Sequence, residues 1–130
     1  MSMIDTVRRN PMVWGGAALV VFALCAMSIS VVPETQQAVV LRVAQESLHN
    51  AVRHAGAREI HLRLTRLGPG GVRLEVSDDG AGFDVGATLR AGRSLGLRSM
   101  RERACSVRGS ATFTSSPGGG TVVCLEVPGG

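Results

Sequence analysis

Asp78 is the residue whose placement demands most of its surroundings. Val72, Leu74 and Val76 alternate as on a strand, and Asp78 continues their parity, which turns its carboxylate toward the apolar side. A carboxylate taken out of water is costly unless strong donors meet it. An exocyclic amine on a bound ligand would be such a donor. A carboxylate that merely caps the turn before Gly80 fits the same pattern, and the spacing leaves both readings open. Thr121 shares the inward parity of Val123, Leu125 and Val127, so its hydroxyl falls in the same layer if the two strands are neighbours. Gly80 and Gly82 complete an Asp-x-Gly-x-Gly run, in which glycine lets the backbone turn tightly or approach a ligand closely.

A second group of polar residues lies on one helical stretch. Asn50 offers a hard oxygen for Mg²⁺, and Glu46, one turn earlier, can orient a water or act as a base. Arg53 and His54 add donors suited to phosphate oxygens. The competing reading is a solvated helix face.

The elements that must hold these residues follow from periodicity. Residues 33–55 are helical in pattern, with Val40, Leu41, Ala44, Leu48, Ala51, Val52 and Ala55 on one broad face and Glu46, Asn50, Arg53 and His54 opposite. Residues 58–67 alternate, with Ile60, Leu62 and Leu64 on one side. Gly68-Pro69-Gly70-Gly71 turns the chain into the strand that ends at Asp78. A glycine-rich stretch covers residues 80–96, and Leu97, Met100, Ala104 and Val107 mark a short amphipathic helix. Strands around residues 111–115 and 121–127 flank the turn Ser116-Pro117-Gly118-Gly119-Gly120. The order α-β-β-loop-α-β-β predicts an α/β fold, a two-layer sandwich with mostly antiparallel pairing.

Composition narrows the chemistry. The chain has 130 residues, 45% of them hydrophobic and 3% aromatic, with a net charge of +4. Every basic residue is arginine. Lysine-dependent Schiff-base and P-loop chemistry is therefore excluded. The scattered arginines lack interleaved aromatics, so no nucleic-acid partner is expected. Cys25, Cys105 and Cys124 have no metal-site spacing and read as buried free thiols.

Taken together, these segments resemble the motifs of sensor histidine kinases. Gln45-Glu46-Ser47-Leu48-His49-Asn50-Ala51-Val52-Arg53-His54-Ala55 is similar to their asparagine box. Ser77-Asp78-Asp79-Gly80-Ala81-Gly82-Phe83 resembles the first glycine box, and Leu95-Gly96-Leu97-Arg98-Ser99-Met100-Arg101-Glu102-Arg103-Ala104 the second. Pro117-Gly118-Gly119-Gly120-Thr121 resembles the closing hairpin. The likeness is to the short-lid subfamily that pairs with LuxR-type response regulators.

That resemblance implies a Bergerat-type ATP site. Asp78 would accept from the adenine amino group, with Thr121 supporting the base through water. Asn50 would hold Mg²⁺, with Glu46 near it as the second catalytic residue. Gly80, Gly82 and Gly96 would shape the pocket, and Arg53 and His54 would lie near the phosphates. The helix start at Gly96 and Leu97 would offer backbone N–H groups to phosphate oxygens. The family's phosphoacceptor histidine has no counterpart: His49 and His54 belong to the asparagine box and His61 to a strand. Autophosphorylation in cis is therefore not expected, and a kinase dimer partner would supply the acceptor.

The beginning of the chain predicts something different. Residues 1–11 read as a short flank, residues 12–32 as one transmembrane helix, and residues 33–130 as the ATP-binding domain, truncated at its first strand. As a helix the apolar run would reach about 31 Å, which matches a hydrocarbon core of roughly 30 Å. Membrane lipid is thus an expected partner. Arg8 and Arg9 before the run, against Arg42 after it, favour a cytoplasmic N-terminus, whereas a working ATP domain is expected in the cytoplasm. The first 40 or so residues, including Asn10-Pro11 and Val31-Val32-Pro33-Glu34-Thr35-Gln36-Gln37, resemble the start of an HflC-type membrane protease modulator of the stomatin/prohibitin class. Alternatives to the kinase module are a serine kinase of the anti-sigma-factor type and a non-enzymatic membrane scaffold or fusion.

Overall fold

The computed structural model describes residues 2–8, 34–53, 56–92 and 95–129. The first helix, α1 (Glu34–Arg53), begins with an acidic residue at its positive end. It buries Val39, Val40, Val43, Ala44, Leu48 and Ala51 as one stripe. Ser47 lies within that stripe, and its hydroxyl donates to the Val43 carbonyl at 2.7 Å, so that hydroxyl is not stranded. Leu41 is only partly buried. At about 100° per residue, Glu46 and Asn50 therefore flank the buried stripe rather than oppose it. Both are half-buried.

The strands β1 (Ser2–Arg8), β2 (Glu59–Arg66), β3 (Val72–Asp78), β4 (Ser110–Ser115) and β5 (Thr121–Val127) form one antiparallel sheet in the order β1-β2-β3-β5-β4. The expectation of a domain truncated at its first strand is corrected here. Ser2–Arg8 pairs along β2 from Ser2 opposite Thr65 to Arg8 opposite Glu59. Without it, β2 would be a bare edge with a row of unpaired N–H and C=O groups. Ile4, Thr6 and Val7 suit a strand, yet beside the basic pair and the apolar run they read as a membrane flank. The run itself, residues 12–32, and Cys25 lie outside the described residues. Among the described residues no helix is long and apolar enough to cross a membrane.

One face of the sheet carries the core. Ile60, Leu62 and Leu64, then Val72, Leu74 and Val76, then Val123, Leu125 and Val127 meet α1 and the helix α3 (Leu95–Ser106) through Leu97, Met100 and Ala104. Alternation alone would place them so, because side chains on a strand change face at every residue. The opposite face is polar: Arg73 stands between Glu75 at 3.9 Å and Glu126 at 3.6 Å, partly exposed pairs that add little stability. The cysteines depart from expectation. Cys105 is exposed on α3 and Cys124 half-buried on the polar face, both as free thiols.

A short helix, α2 (Val85–Arg90), interrupts the glycine-rich stretch. Asp84 caps it by accepting from the Ala87 N–H at 2.8 Å. None of its residues is fully buried.

After α3, Arg108 adopts φ 58°, while the Ala104 carbonyl accepts the Gly109 N–H at 2.8 Å. This is a left-handed helix cap without the glycine that usually fills it. Arg108→Gly should raise stability by about 0.5–1 kcal/mol, or roughly 5 °C in Tm. A thermal melt showing no rise would mean that the exposed arginine offsets its own strain.

Candidate functional site

Asp78 ends β3 directly opposite Thr121, which begins β5. Its carboxyl is half-buried, and Oδ1 accepts the Gly80 N–H at 2.8 Å. Burial pushes its pKa above the ordinary aspartate value. The Gly80 and Thr121 backbone N–H groups pull the other way, and the neighbouring Asp79 charge raises it further. A carboxylate has about four lone-pair sites, so these two backbone donors leave room for a ligand donor. The turn-capping role and the inward-facing role, which the sequence offered as alternatives, are both present in one side chain.

Asp79 does other work. Its Oδ1 accepts the N–H groups of Arg58 at 2.9 Å and Glu59 at 3.0 Å, tying the end of β3 to the start of β2. Those bonds hold its carboxyl below the usual range although it is exposed.

The two glycine segments interlock backbone to backbone. Gly118 N–H donates to the Ala81 carbonyl at 2.6 Å, so the loop after Asp78 lies against the β4–β5 turn. Gly82 has φ +66°, and an added Cβ would strike the Ser116 carbonyl. Gly120 has φ +71°, and a Cβ there would strike the Asp78 carbonyl. The sequence assigned Gly82 to the pocket's shape; locally it is the close approach of two backbones that requires it.

Ser115, which the sequence reading passed over, joins these pieces. Its Oγ accepts the Phe83 N–H at 2.9 Å, donates to the Gly120 carbonyl at 2.8 Å, and lies 2.9 Å from Thr121 Oγ1. The signal was available: Ala111 and Phe113 set the inward parity of β4, and Ser115 ends it with a hydroxyl, as Asp78 ends that of β3.

Glu46 reaches the first turn of α3. A Cβ on Gly96 would run into the Glu46 carboxylate, so the missing side chain is what lets the acid sit there. An acid near a helix N-terminus is electrostatically favoured. Leu97 turns its side chain into the core, 4% exposed, which leaves only its backbone for a ligand. Asn50 follows Glu46 by one turn, and Arg53 closes α1. His54 lies outside the described residues. A separate cavity of about 280 Å³ lies between α1 and α3, lined by Arg42, Glu46 and His49 on one side and Ser99, Met100 and Arg103 on the other. It shares Glu46 with the predicted site and does not include Asp78, Asn50 or Thr121.

Comparison with known proteins places this geometry. Residues 35–130 match the family described as histidine kinase-, DNA gyrase B-, and HSP90-like ATPase. The sensor histidine kinase MctS of Rhizobium johnstonii is 45% identical over 85 residues, covering 65% of this chain and 18% of that protein. The oxygen sensor histidine kinase NreB of Staphylococcus carnosus is 41% identical over 92 residues, covering 71% of this chain and 26% of that one. This chain thus spans about a quarter or less of the length of these relatives. The histidine kinase domain of a blue-light activated histidine kinase from Erythrobacter litoralis has the same fold. Its TM-score is 0.63 at 19% identity, over 88% of this chain and 60% of that one. The chain therefore belongs to the histidine kinase-, DNA gyrase B-, and HSP90-like ATPase family, its domain is homologous to the catalytic domain of sensor histidine kinases, and that membership implies ATP as its ligand.

Proposed function

We propose that the chain is the ATP–Mg²⁺-binding catalytic module of a sensor histidine kinase, with this domain in the cytoplasm. One observation carries the nucleotide reading: a half-buried carboxyl at Asp78, pushed up by burial, that keeps acceptor sites unused by its backbone donors. The residues suit ATP in one further way: the first turn of α3 offers N–H groups at its positive end.

When bound, ATP supplies the γ-phosphoryl group. Asp78 accepts from the adenine amino group and Thr121 supports the same edge. Asn50 is the expected Mg²⁺ ligand, and Glu46 orients the groups around it. Arg53 and His54 are placed by sequence to meet phosphate charge. Transfer then rests on positioning and charge neutralisation. None of the three histidines in this sequence has the setting of an acceptor, so the acceptor belongs to another segment or to a kinase dimer partner. The motifs shared with the LuxR-pairing subfamily support a LuxR-type response regulator downstream.

ATP binding by the full chain, with and without Mg²⁺, tests the site. Wild type should bind more tightly with Mg²⁺, and Asn50→Ala should lose most of that gain while still binding ATP alone. Equal Mg²⁺ dependence in the variant would remove Asn50 from the metal site. Labelled ATP should leave the isolated chain unlabelled; stable label on a histidine would overturn the need for a partner.

A further inference from the structure

Ser115 has one hydrogen and two lone pairs to share among three neighbours. The Phe83 N–H can only donate, and takes one lone pair. The Gly120 carbonyl can only accept, and takes the hydrogen. What remains for Thr121, 2.9 Å away, is the second lone pair, so the Thr121 hydroxyl must be the donor in that contact. The one hydrogen of Thr121 is thereby committed to Ser115.

The consequence concerns Asp78. The two residues are direct register partners on the inner face, where opposite Cβ atoms lie about 4.5–5.5 Å apart. A free Thr121 hydroxyl would find the half-buried carboxylate as its strongest nearby acceptor and would compete with a ligand for it. With its hydrogen held by Ser115, Thr121 presents only lone pairs beside Asp78. Two acceptors then stand side by side. Such a pair suits a base edge carrying an amino group, with its two hydrogens, and opposes one carrying a carbonyl oxygen at the same place.

We infer that Ser115 is a specificity-determining positioning residue, which fixes the direction of the Thr121 hydroxyl and so makes the site select 6-amino over 6-oxo purine nucleotides. The inference rests on the nucleotide reading of Asp78. Ser115 need not touch the nucleotide; it acts on the selection through Thr121.

The test compares the Kd of ATP with that of inosine triphosphate, using the full chain. Ser115→Ala should weaken ATP binding and reduce the ATP-over-inosine ratio by about fivefold, the size of one neutral hydrogen bond of about 1 kcal/mol. Ser115→Thr, which keeps the hydroxyl, should restore the ratio. Because Ser115 works through Thr121, adding Ser115→Ala to Thr121→Val should change the ratio no further. Where alanine costs the fold, Ser115→Cys takes its place, being near in size but a poor hydrogen-bonding group. A ratio in Ser115→Ala equal to wild type, or effects of the two substitutions that simply multiply, would overturn the assignment. Absence of ATP binding in wild type would sink the Asp78 reading and this one with it. Intact ATP binding with an unaltered ratio would sink this one alone.

Discussion

Asp78→Asn should weaken ATP binding by roughly thirtyfold or more while leaving the empty protein folded. The loss follows from replacing a charged acceptor by a neutral one, since a hydrogen bond to a charged group contributes about 1.5–3 kcal/mol. The intact fold follows from the direction of the carboxyl's shift. Burial pushes its pKa up, which means that the ionised form is disfavoured in the empty protein. Asparagine carries no charge to bury, and its carbonyl can still accept from Gly80 and Thr121. Thermal melts should therefore show no loss, and titration calorimetry should show the missing affinity. Undiminished ATP affinity in this variant would remove Asp78 from the site.

The same shift sets a pH dependence. An amino group donating to Asp78 favours the carboxylate, so ATP affinity should be full near neutrality and decline as pH falls through the raised value. The decline should begin above the ordinary aspartate value of 3.8 and be absent in Asp78→Asn. For stability the two neighbours have opposite signs. The burden of ionised Asp78 is absent below its unfolded value and complete above its folded one. Asp79, held low by the Arg58 and Glu59 amides, stabilises above its unfolded value and ceases to do so as pH falls through its folded one.

Gly82→Ala is expected to be a strongly damaging single methyl. A non-glycine residue in the left-handed region costs about 1–2 kcal/mol, and here the added carbon also meets the Ser116 carbonyl. The two effects together should reach about 3 kcal/mol, or a Tm lowered by roughly 10–20 °C. Gly118→Ala is the control: its φ is +79°, yet nothing lies within 4 Å of the added carbon. That variant should lose only about 1 kcal/mol. Equal melts for the two would show that the loop and turn can separate without penalty.

Legibility of the fold tracked local periodicity. The parity of Ile60, Leu62 and Leu64, and that of Val72, Leu74 and Val76, was enough to fix the inner face of β2 and β3, because one face of each is buried. The register that sets Asp78 against Thr121 was legible only as shared parity, since pairing is decided by strands far apart in sequence. The edge strand β1 was hidden for the same reason. Its partner β2 lies some fifty residues away, and nothing local distinguishes a pairing strand from a flank. The helix α2 did have a local signal in Asp84, masked by the surrounding glycines. At the candidate site, residue types alone pointed to Asp78, Asn50 and Glu46, whereas Ser115 enters through three contacts that no spacing encodes.

The interlock between the loop after Asp78 and the β4–β5 turn bears on motion as well as on binding. Amide protons of Phe83 and Gly118 are bonded across that seam, so they should exchange with solvent together, at a rate set by rupture of the hairpin rather than by local fraying. The amides of α2, with no fully buried side chain to anchor them, should exchange sooner and independently. The chain would then combine a seam that stays shut with a short helix that unfolds on its own clock.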